Sequence, residues 1–203
     1  MGVMFPNVLV VGDAVPAKTL PEFVALAKQS PGKLTYGSSG IGGVGHLAGE
    51  LFKQRARIDM VHAPYKGGGP ALTDLLGGRI EMYISVPSTA QAHIESGKVR
   101  ALATTGARRM ATLPNVPTVA ESYPGFEATN WYAFVAPGKT PKEILDYWNR
   151  EIGKVLSDPR VKDELARHGL DPMPGTRDEL AQYIDRENVK WGKVVREAKI
   201  TAE

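Results

Sequence analysis

Apolar residues along the first half of the chain predict strands that alternate with helices. The run Asn7–Val11 is typical of a buried strand, and Thr19 to Glu22 has the spacing of a capping box that opens a helix. Strands alternating with helices at this spacing indicate βαβ units and a parallel sheet. The further strands are predicted near residues 34–37, 60–64, 80–85 and 99–104, with helices near residues 46–54, 70–76 and 88–96.

The pattern changes after residue 105. A proline-spaced connection with one short helix near 119–122 leads to a strand near 131–136. Three amphipathic helices are predicted to follow, and a second capping-box pattern, Thr140 to Glu143, opens the first of them. Their apolar faces need a sheet to cover, yet this part of the chain offers about one strand. The helices are predicted near residues 140–156, 158–169 and 176–198.

Composition narrows the functional classes. The 203 residues are 42% hydrophobic with a net charge of +3, and the basic residues are scattered, which argues against nucleic acid as a partner. There is no cysteine, the four histidines are dispersed, and no metal site or cofactor is expected. No apolar run approaches the ~20 residues of a membrane helix. Met1–Val11 lacks the charged and apolar regions of a signal peptide, so none is expected in this chain.

A serine- and glycine-rich stretch stands between the second strand and its helix. It begins at Ser38-Ser39 and continues as Gly40-Ile-Gly-Gly-Val-Gly45 before His46. Glycines allow the backbone to approach a ligand closely, and the first helical turn presents N–H groups that have no partner within the helix. The sequence therefore predicts an anion-binding loop for a carboxylate or phosphate.

Other polar residues are predicted at the same edge, because ligands bind beyond the carboxyl ends of parallel strands. Tyr65 follows one strand, and Ser85-Val86 follows the next. These residues can bind a ligand, but they include no plausible acid–base pair, and we expect no enzymatic activity. His46 either contacts the ligand or packs beneath the loop, whereas His62 is expected to be structural. The predicted ligand-binding residues are Ser38, Ser39, Gly40, Gly42, Gly43, His46, Tyr65, Ser85 and Val86.

An alternative interpretation is a Rossmann-like oxidoreductase. The residues Gly40, Gly42 and Gly45 match the G-x-G-x-x-G fingerprint, and Asp59 follows at about the expected distance. However, the acid that binds the ribose should follow the next strand, whereas Asp59 precedes it. The alternative also lacks support from a nucleophile elbow, because Ile41 stands where the last glycine of G-x-S-x-G belongs.

The run from Val61 to Gly78 is the longest of several motifs that follow one another in a recognisable order along the chain. They resemble those of the Bug/TctC family, the extracytoplasmic solute receptors of tripartite tricarboxylate transporters, and the resemblance covers essentially all 203 residues. It implies a receptor of the periplasmic binding protein type II fold, with membrane transporter subunits as partners and a periplasmic location. The other motifs lie at residues 16–23, 32–40, 46–52, 97–103, 113–118 and 136–141.

The resemblance also implies how the chain is divided. Residues 1–17 correspond to a crossing strand, residues 18–130 to a complete second domain, and residues 131–203 to the C-terminal part of the first domain. The family's signal peptide and the N-terminal part of its first domain are not matched in this chain, so half of the ligand cleft is expected to be absent. The incomplete domain could then support a homo-oligomer.

The family's ligand-binding role falls on Ser38, Ser39 and the glycines before His46, which match the loop that holds a ligand carboxylate. Many family members carry Asp-Asn where this chain has Ser85-Val86. A carboxylate there would favour a ligand with an ammonium group, and a serine does not. The expected ligand is therefore an organic acid without an amine: a dicarboxylate, a tricarboxylate or an aromatic carboxylate.

Overall fold

The computed structural model describes residues 1–201 and divides into two compact units. The smaller unit consists of Met1–Phe5 and Asn130–Lys193, and the larger unit of Pro6–Thr129 with the chain from Val194 onward. These units are defined by contacts within this chain. The division into residues 1–17, 18–130 and 131–203 refers to the domains of a longer family fold and stays a prediction.

Eight strands and eight helices follow one another among the described residues. The strands are β1 (Val3–Pro6), β2 (Val8–Gly12), β3 (Thr35–Ser38), β4 (Val61–Pro64), β5 (Met82–Ser85), β6 (Val99–Thr104), β7 (Thr129–Tyr132) and β8 (Asp171–Pro172). The helices are α1 (Leu20–Gln29), α2 (Val44–Ala56), α3 (Gly68–Leu76), α4 (Pro87–Glu95), α5 (Val119–Ser122), α6 (Lys142–Ser157), α7 (Pro159–Arg167) and α8 (Arg177–Glu197).

The larger unit contains a five-stranded sheet in the order β4-β3-β5-β2-β6. Strand β3 pairs in parallel with both β4 and β5, as predicted. Strand β2 lies antiparallel between β5 and β6, so β6 also runs in the direction of β3, β4 and β5, and the four strands of the predicted repeat share one direction. The direction of β2 itself was not predicted. The apolar run of β2 identifies it as a buried strand, but an apolar run carries no information about strand direction.

The core of the larger unit lies on both faces of β2. Its residues Val8–Val11 are fully buried, since the strand has neighbours on both edges and helices over its faces. One cluster joins Val8 and Val10 to Leu75 of α3 and to Tyr83 of β5. Helix α3, which follows the predicted Tyr65 segment, is therefore packed against the buried centre of the sheet.

Side-chain caps set several helix starts. Thr19 accepts from the N–H of Glu22, as the capping pattern predicts, although the Glu22 carboxylate accepts from Lys18. A complete capping box forms between Thr118 and Glu121 at the start of α5. The second predicted box is wrong. Helix α6 begins at Lys142 with Pro141 as its N-cap and no side-chain cap, so Thr140 lies outside the helix.

The smaller unit contains a three-stranded sheet in the order β7-β1-β8, to which α6 and α7 are connected in sequence. Several of its large apolar side chains are exposed, among them Phe134, Val135 and Trp148 at 66%, 85% and 58%. They border an apolar groove of about 450 Å³ that also includes Ile144 and Leu180. None of the described helices is long and apolar enough to cross a membrane.

Candidate functional site

The carboxyl ends of β3, β4 and β5 meet at one edge of the larger sheet, because the three strands run in the same direction. Two backbone hydrogen bonds join the loops that follow β3 and β4. The N–H of Tyr65 donates to the carbonyl of Ser38 at 3.0 Å, and that of Gly67 donates to Ser39 at 3.1 Å. The structure therefore brings the predicted serine–glycine loop and the Tyr65 segment together.

Glycines shape the loop between β3 and α2. Gly40 and Gly42 have φ values of 151° and 73°, in the region that residues with a Cβ rarely adopt. Gly43 is the N-cap of α2 and offers no side-chain cap to the first turn. The first-turn N–H groups have no acceptor within the helix and carry the positive end of its dipole, which favours an anion.

The start of α2 lies against the end of β5. A Cβ at Gly45 would stand 2.9 Å from the carbonyl oxygen of Ile84 and 3.5 Å from the Ser38 Cβ. A side chain at this position would therefore separate the helix from the sheet. Gly45 is the last glycine of the G-x-G-x-x-G match, and here it provides close helix–strand packing.

The Ser38 hydroxyl is held from two sides. Ser38 is fully buried, and its Oγ lies 2.7 Å from Nε2 of His62 on β4. The same oxygen contacts the carbonyl of Gly40 at 3.0 Å and its N–H at 3.3 Å. A hydroxyl has one proton, so when it donates to the Gly40 carbonyl, the histidine N–H supplies the second hydrogen bond.

His46 and His62 stack on each other beneath the loop. Their ring centroids are 3.8 Å apart and their planes differ by 5°. His46 is buried, and its Nδ1 accepts from the N–H of Gly42 at 3.1 Å. Burial lowers the pKa of both imidazoles. That of His62 falls to about 4, with further contributions from His46 and from the positive charge of Lys53.

A second layer of polar contacts lies below the histidine pair. The hydroxyl of Tyr36 donates to Oε1 of Glu50 at 2.7 Å, and Lys53 reaches the same oxygen at 2.9 Å. The Tyr36 ring lies 4.9 Å from that of His62. Burial and the neighbouring Glu50 carboxylate raise the pKa of Tyr36, so it stays protonated and donates this hydrogen bond. These contacts connect the loop to β3 and α2.

The other predicted site residues have differing environments. Ser39, Gly42 and Gly43 are exposed, whereas Ser85 is fully buried and its hydroxyl donates to the carbonyl of Val86 at 2.9 Å. Val86 is half-buried and is the N-cap of α4.

Tyr65 is fixed by the side chain of a neighbouring helix. Its hydroxyl donates to Asp74 of α3 at 2.9 Å, and Asp74 is paired with Arg79 at 2.7 Å. Partial burial and the contact with Asp74 raise the pKa of Tyr65 to about 12. Because this hydroxyl is engaged, Tyr65 offers chiefly its ring edge and backbone to the site.

The arrangement can bind an anion, and the geometry gives little support to the alternatives. Asp59 precedes β4, and its carbonyl accepts from the N–H of Gly32 at 3.1 Å, at the edge opposite the glycine loop. Among residues 1–201, no three His, Cys, Asp or Glu side chains form a group that could hold a metal ion. Among the described residues, no hydrogen bond joins the Ser38–His62 pair to the acidic partner that a catalytic triad requires.

Sequence reasoning missed the roles of His62, Tyr36 and Glu50. His62 is the register partner of Tyr36, and Ser38 lies two residues further along β3 on the same face. Alternation along a strand could have placed Tyr36 and Ser38 together. Including His62 requires the β3–β4 register, which the sequence alone does not provide.

Comparison with known proteins agrees with this fold. The sequence model of the tripartite tricarboxylate transporter family receptor matches residues 2–200. The protein BugT of Bordetella pertussis is 38% identical over 195 residues, which are 95% of this chain and 59% of that protein. This chain spans about three-fifths of the length of most of the curated relatives it matches.

Two solved structures share the fold and contain a small organic acid. Rpa4515 of R. palustris with adipate has a TM-score of 0.88 and 33% identity, covering 98% of this chain and 67% of that chain. MatC of Rhodopseudomonas palustris with bound malate has a TM-score of 0.77 and 27% identity, covering 95% and 67%. The predicted α/β fold of the periplasmic solute-binding proteins is confirmed.

Proposed function

This chain belongs to the tripartite tricarboxylate transporter receptor family, which confirms the predicted resemblance, and we propose from this premise that it captures a small organic carboxylate. The family is one of solute-binding receptors. The observation that carries the proposal is the loop from Ser38 to Gly45. It places a helix N-terminus, glycine backbone and an ordered serine at the ligand edge of the sheet.

We propose that Ser38, Ser39, Gly40, Gly42 and Gly43 form the part of the site that holds one ligand carboxylate. His46 supports this loop from below, and the segments at Tyr65 and at Ser85-Val86 border the same edge of the sheet. The role of the protein is binding without chemistry. An oxidoreductase that uses Gly40, Gly42 and Gly45 lacks the ribose-binding acid at the end of the next strand.

The proposed ligand is an organic acid that carries no amine. Ser85 and Val86 place no negative charge at the turn after β5, so an ammonium group would have no counter-ion there. Relatives of this fold have been solved with adipate and with malate, which are both dicarboxylates. Tricarboxylates and aromatic carboxylates belong to the same chemical class and complete the range to be tested.

Isothermal titration calorimetry tests the proposal directly. Adipate, malate, citrate and benzoate are titrated in parallel with glutamate, lysine and NAD. We expect binding of at least one organic acid and none of lysine or NAD. Preferential binding of an amino acid would refute the ligand class, and binding of NAD would favour the oxidoreductase.

As finer parts of the same proposal, we place the receptor in the periplasm and assign membrane transporter subunits as its partners. The family description names a receptor of a tripartite transporter, which supports the partners. The structurally similar BugD is a periplasmic binding protein, which supports the location. Fractionation of the native cells tests the location. Co-purification with the membrane subunits, in the presence and absence of adipate, tests the partnership.

We also propose that the smaller unit associates with a second copy of the chain through its apolar groove. Trp148, Phe134 and Ile144 leave 58%, 66% and 47% of their surface exposed, and exposed apolar groups of this extent mark interaction surfaces. Light scattering should show a dimer that Trp148→Glu converts to a monomer. Lys154→Glu is the control charge change on the exposed face of α6. A wild-type monomer at high concentration would refute this association.

A further inference from the structure

The stacked histidines beneath the glycine loop have no role in the carboxylate contacts proposed above. Both rings are neutral near pH 7, because burial lowers their pKa values. Each ring contacts a different part of the loop. His62 reaches the Ser38 hydroxyl, and His46 reaches the Gly42 N–H. The pair therefore connects the first serine of the loop to its central glycine.

The contact to Gly42 depends on the protonation state of His46. A backbone N–H can only donate, so Nδ1 of His46 must carry a lone pair and the neutral ring must hold its proton on Nε2. Protonation of His46 places a hydrogen on Nδ1, directed at the hydrogen of Gly42. The hydrogen bond is then lost, and two donors face each other at 3.1 Å.

The contact between His62 and Ser38 responds differently to protonation. A charged His62 can still donate to the Ser38 oxygen, but its ring stacks at 3.8 Å on His46. Two positive charges at this separation repel strongly in a buried site. The charged and titratable groups that face the pair are Glu50 and Lys53 from α2 and Tyr36 from β3. Lys53 opposes protonation and Glu50 favours it at His46.

We propose that His46 and His62 are positioning residues for the carboxylate-binding loop. The neutral pair holds Ser38 and Gly42 in register, and protonation of His46 releases the loop. One consequence of this inference, weaker ligand binding in acid, rests on the proposed function. The loop geometry itself does not require a ligand, so it can be tested without one.

Three variants separate positioning from simple packing. In His46→Asn the side-chain oxygen takes the place of Nδ1 as the acceptor and does not titrate. In His46→Leu no acceptor remains. His62→Gln places an amide where Nε2 contacts Ser38. A purely structural role would make all three variants equally harmful, whereas a positioning role predicts rescue by Asn at 46 and by Gln at 62.

The first measurement is amide hydrogen exchange of the segment from Ser38 to Val44 without ligand, between pH 4 and 7.5, corrected for the intrinsic pH dependence of exchange. We expect wild-type protection to fall about tenfold in acid, as for the loss of one hydrogen bond. His46→Asn should show a flat profile, and His46→Leu should be unprotected throughout. The same pH profile in wild type and His46→Asn would overturn the inference.

The second measurement is the Kd for adipate over the same pH range. Wild type should lose affinity about tenfold relative to His46→Asn, which serves as the control for titration of adipate itself. If adipate and the other acids bind to no form of the protein, the proposed function fails while the exchange profile still decides this inference. If hydrogen exchange shows that the loop is released in acid but the Kd for adipate is the same at all pH values, the inference is wrong and the proposed function stands. Should His46→Leu not fold, wild type and His46→Asn suffice.

Discussion

The change Gly49→Ala tests whether the polar layer beneath the loop is as tightly packed as the structure indicates. Gly49 lies in α2, and a Cβ there would stand 2.2 Å from Cε2 of Tyr36 and 2.6 Å from its Cζ. Carbon atoms in contact are about 3.5–4.0 Å apart, so the ring would have to move by about 1.3 Å or more. The Tyr36 ring is fully buried and its hydroxyl is bound to Glu50.

The expected change in the free energy of unfolding is the sum of three effects. Overpacking of a buried site costs about 1–3 kcal/mol. Loss of a hydrogen bond to a charged group costs about 1.5–3 kcal/mol. Alanine is more favourable than glycine within a helix by about 1 kcal/mol. We therefore expect Gly49→Ala to lower the free energy of unfolding of the larger unit by about 1.5–5 kcal/mol.

The assay must report on the larger unit. Trp131, Trp148 and Trp191 all lie in the smaller unit, so intrinsic tryptophan fluorescence follows that part of the chain. Native-state hydrogen exchange of β2 and β3 reports on the larger unit. The control is Gly69→Ala in α3, where a Cβ meets no heavy atom within 4 Å and stability should be unchanged or slightly increased.

A double-mutant cycle identifies the cause of the loss. In a Tyr36→Leu background the aromatic ring is absent, so adding Gly49→Ala should cost little. A cost for Gly49→Ala that is the same with and without the Tyr36 ring would refute the steric argument. So would a Gly49→Ala variant as stable as Gly69→Ala.

Three further predictions concern acid, helix capping and ligand charge. Because the folded pKa of His62 is about 4 and lies below the ordinary value of 6.5, the unfolded chain takes up the proton first. Stability should fall by about 1–2 kcal/mol, after allowance for solvent screening, as the pH decreases from 6.5 to 4, and His62→Gln should flatten a urea-unfolding series. Thr118→Ala removes the cap of α5 and should cost about 1 kcal/mol in the same assay, whereas Thr118→Ser should retain most of it. Ser85→Asp should weaken adipate binding about tenfold or more by charge repulsion, and Ser85→Asn, of equal size and neutral, should do so much less; equal effects would contradict the assignment of the turn.

The helices were largely predictable from local signals. Short helix α5 has the predicted bounds, since Thr118 and the Pro-rich flanks define it. Helix α6 shows the limit of such signals. Thr140 and Glu143 have capping-box spacing, but the intervening Pro141 takes the N-cap position and leaves Thr140 outside the helix. Local sequence thus predicts that a helix starts here, but not which residue caps it.

The strands were less predictable, because pairing depends on distant residues. The two-residue strand β8 exists through its antiparallel pairing with β1, and neither segment has an alternating pattern long enough to detect. The antiparallel position of β2 between β5 and β6 also depends on pairing with distant residues. Residues 8–12 form hydrogen bonds with strands that lie about 70 and about 90 residues further along the chain, and no local pattern encodes that choice.

In the candidate site, too, features encoded by neighbouring residues were predictable, whereas features that depend on distant residues were not. The glycine loop could be found because its chemistry is contiguous: serines, glycines and a helix start follow one another between residues 38 and 45. The residues that support the loop could not be found in this way, because His62 belongs to another strand and reaches Ser38 only through the β3–β4 register. Glycines allow the backbone of a loop to approach a ligand closely. The same conformational freedom leaves the loop without a fixed structure unless side chains from distant parts of the sequence hold it in place. The neutral histidine pair supplies this order here, so the pH range in which the loop binds should be set by residues outside the loop's own sequence.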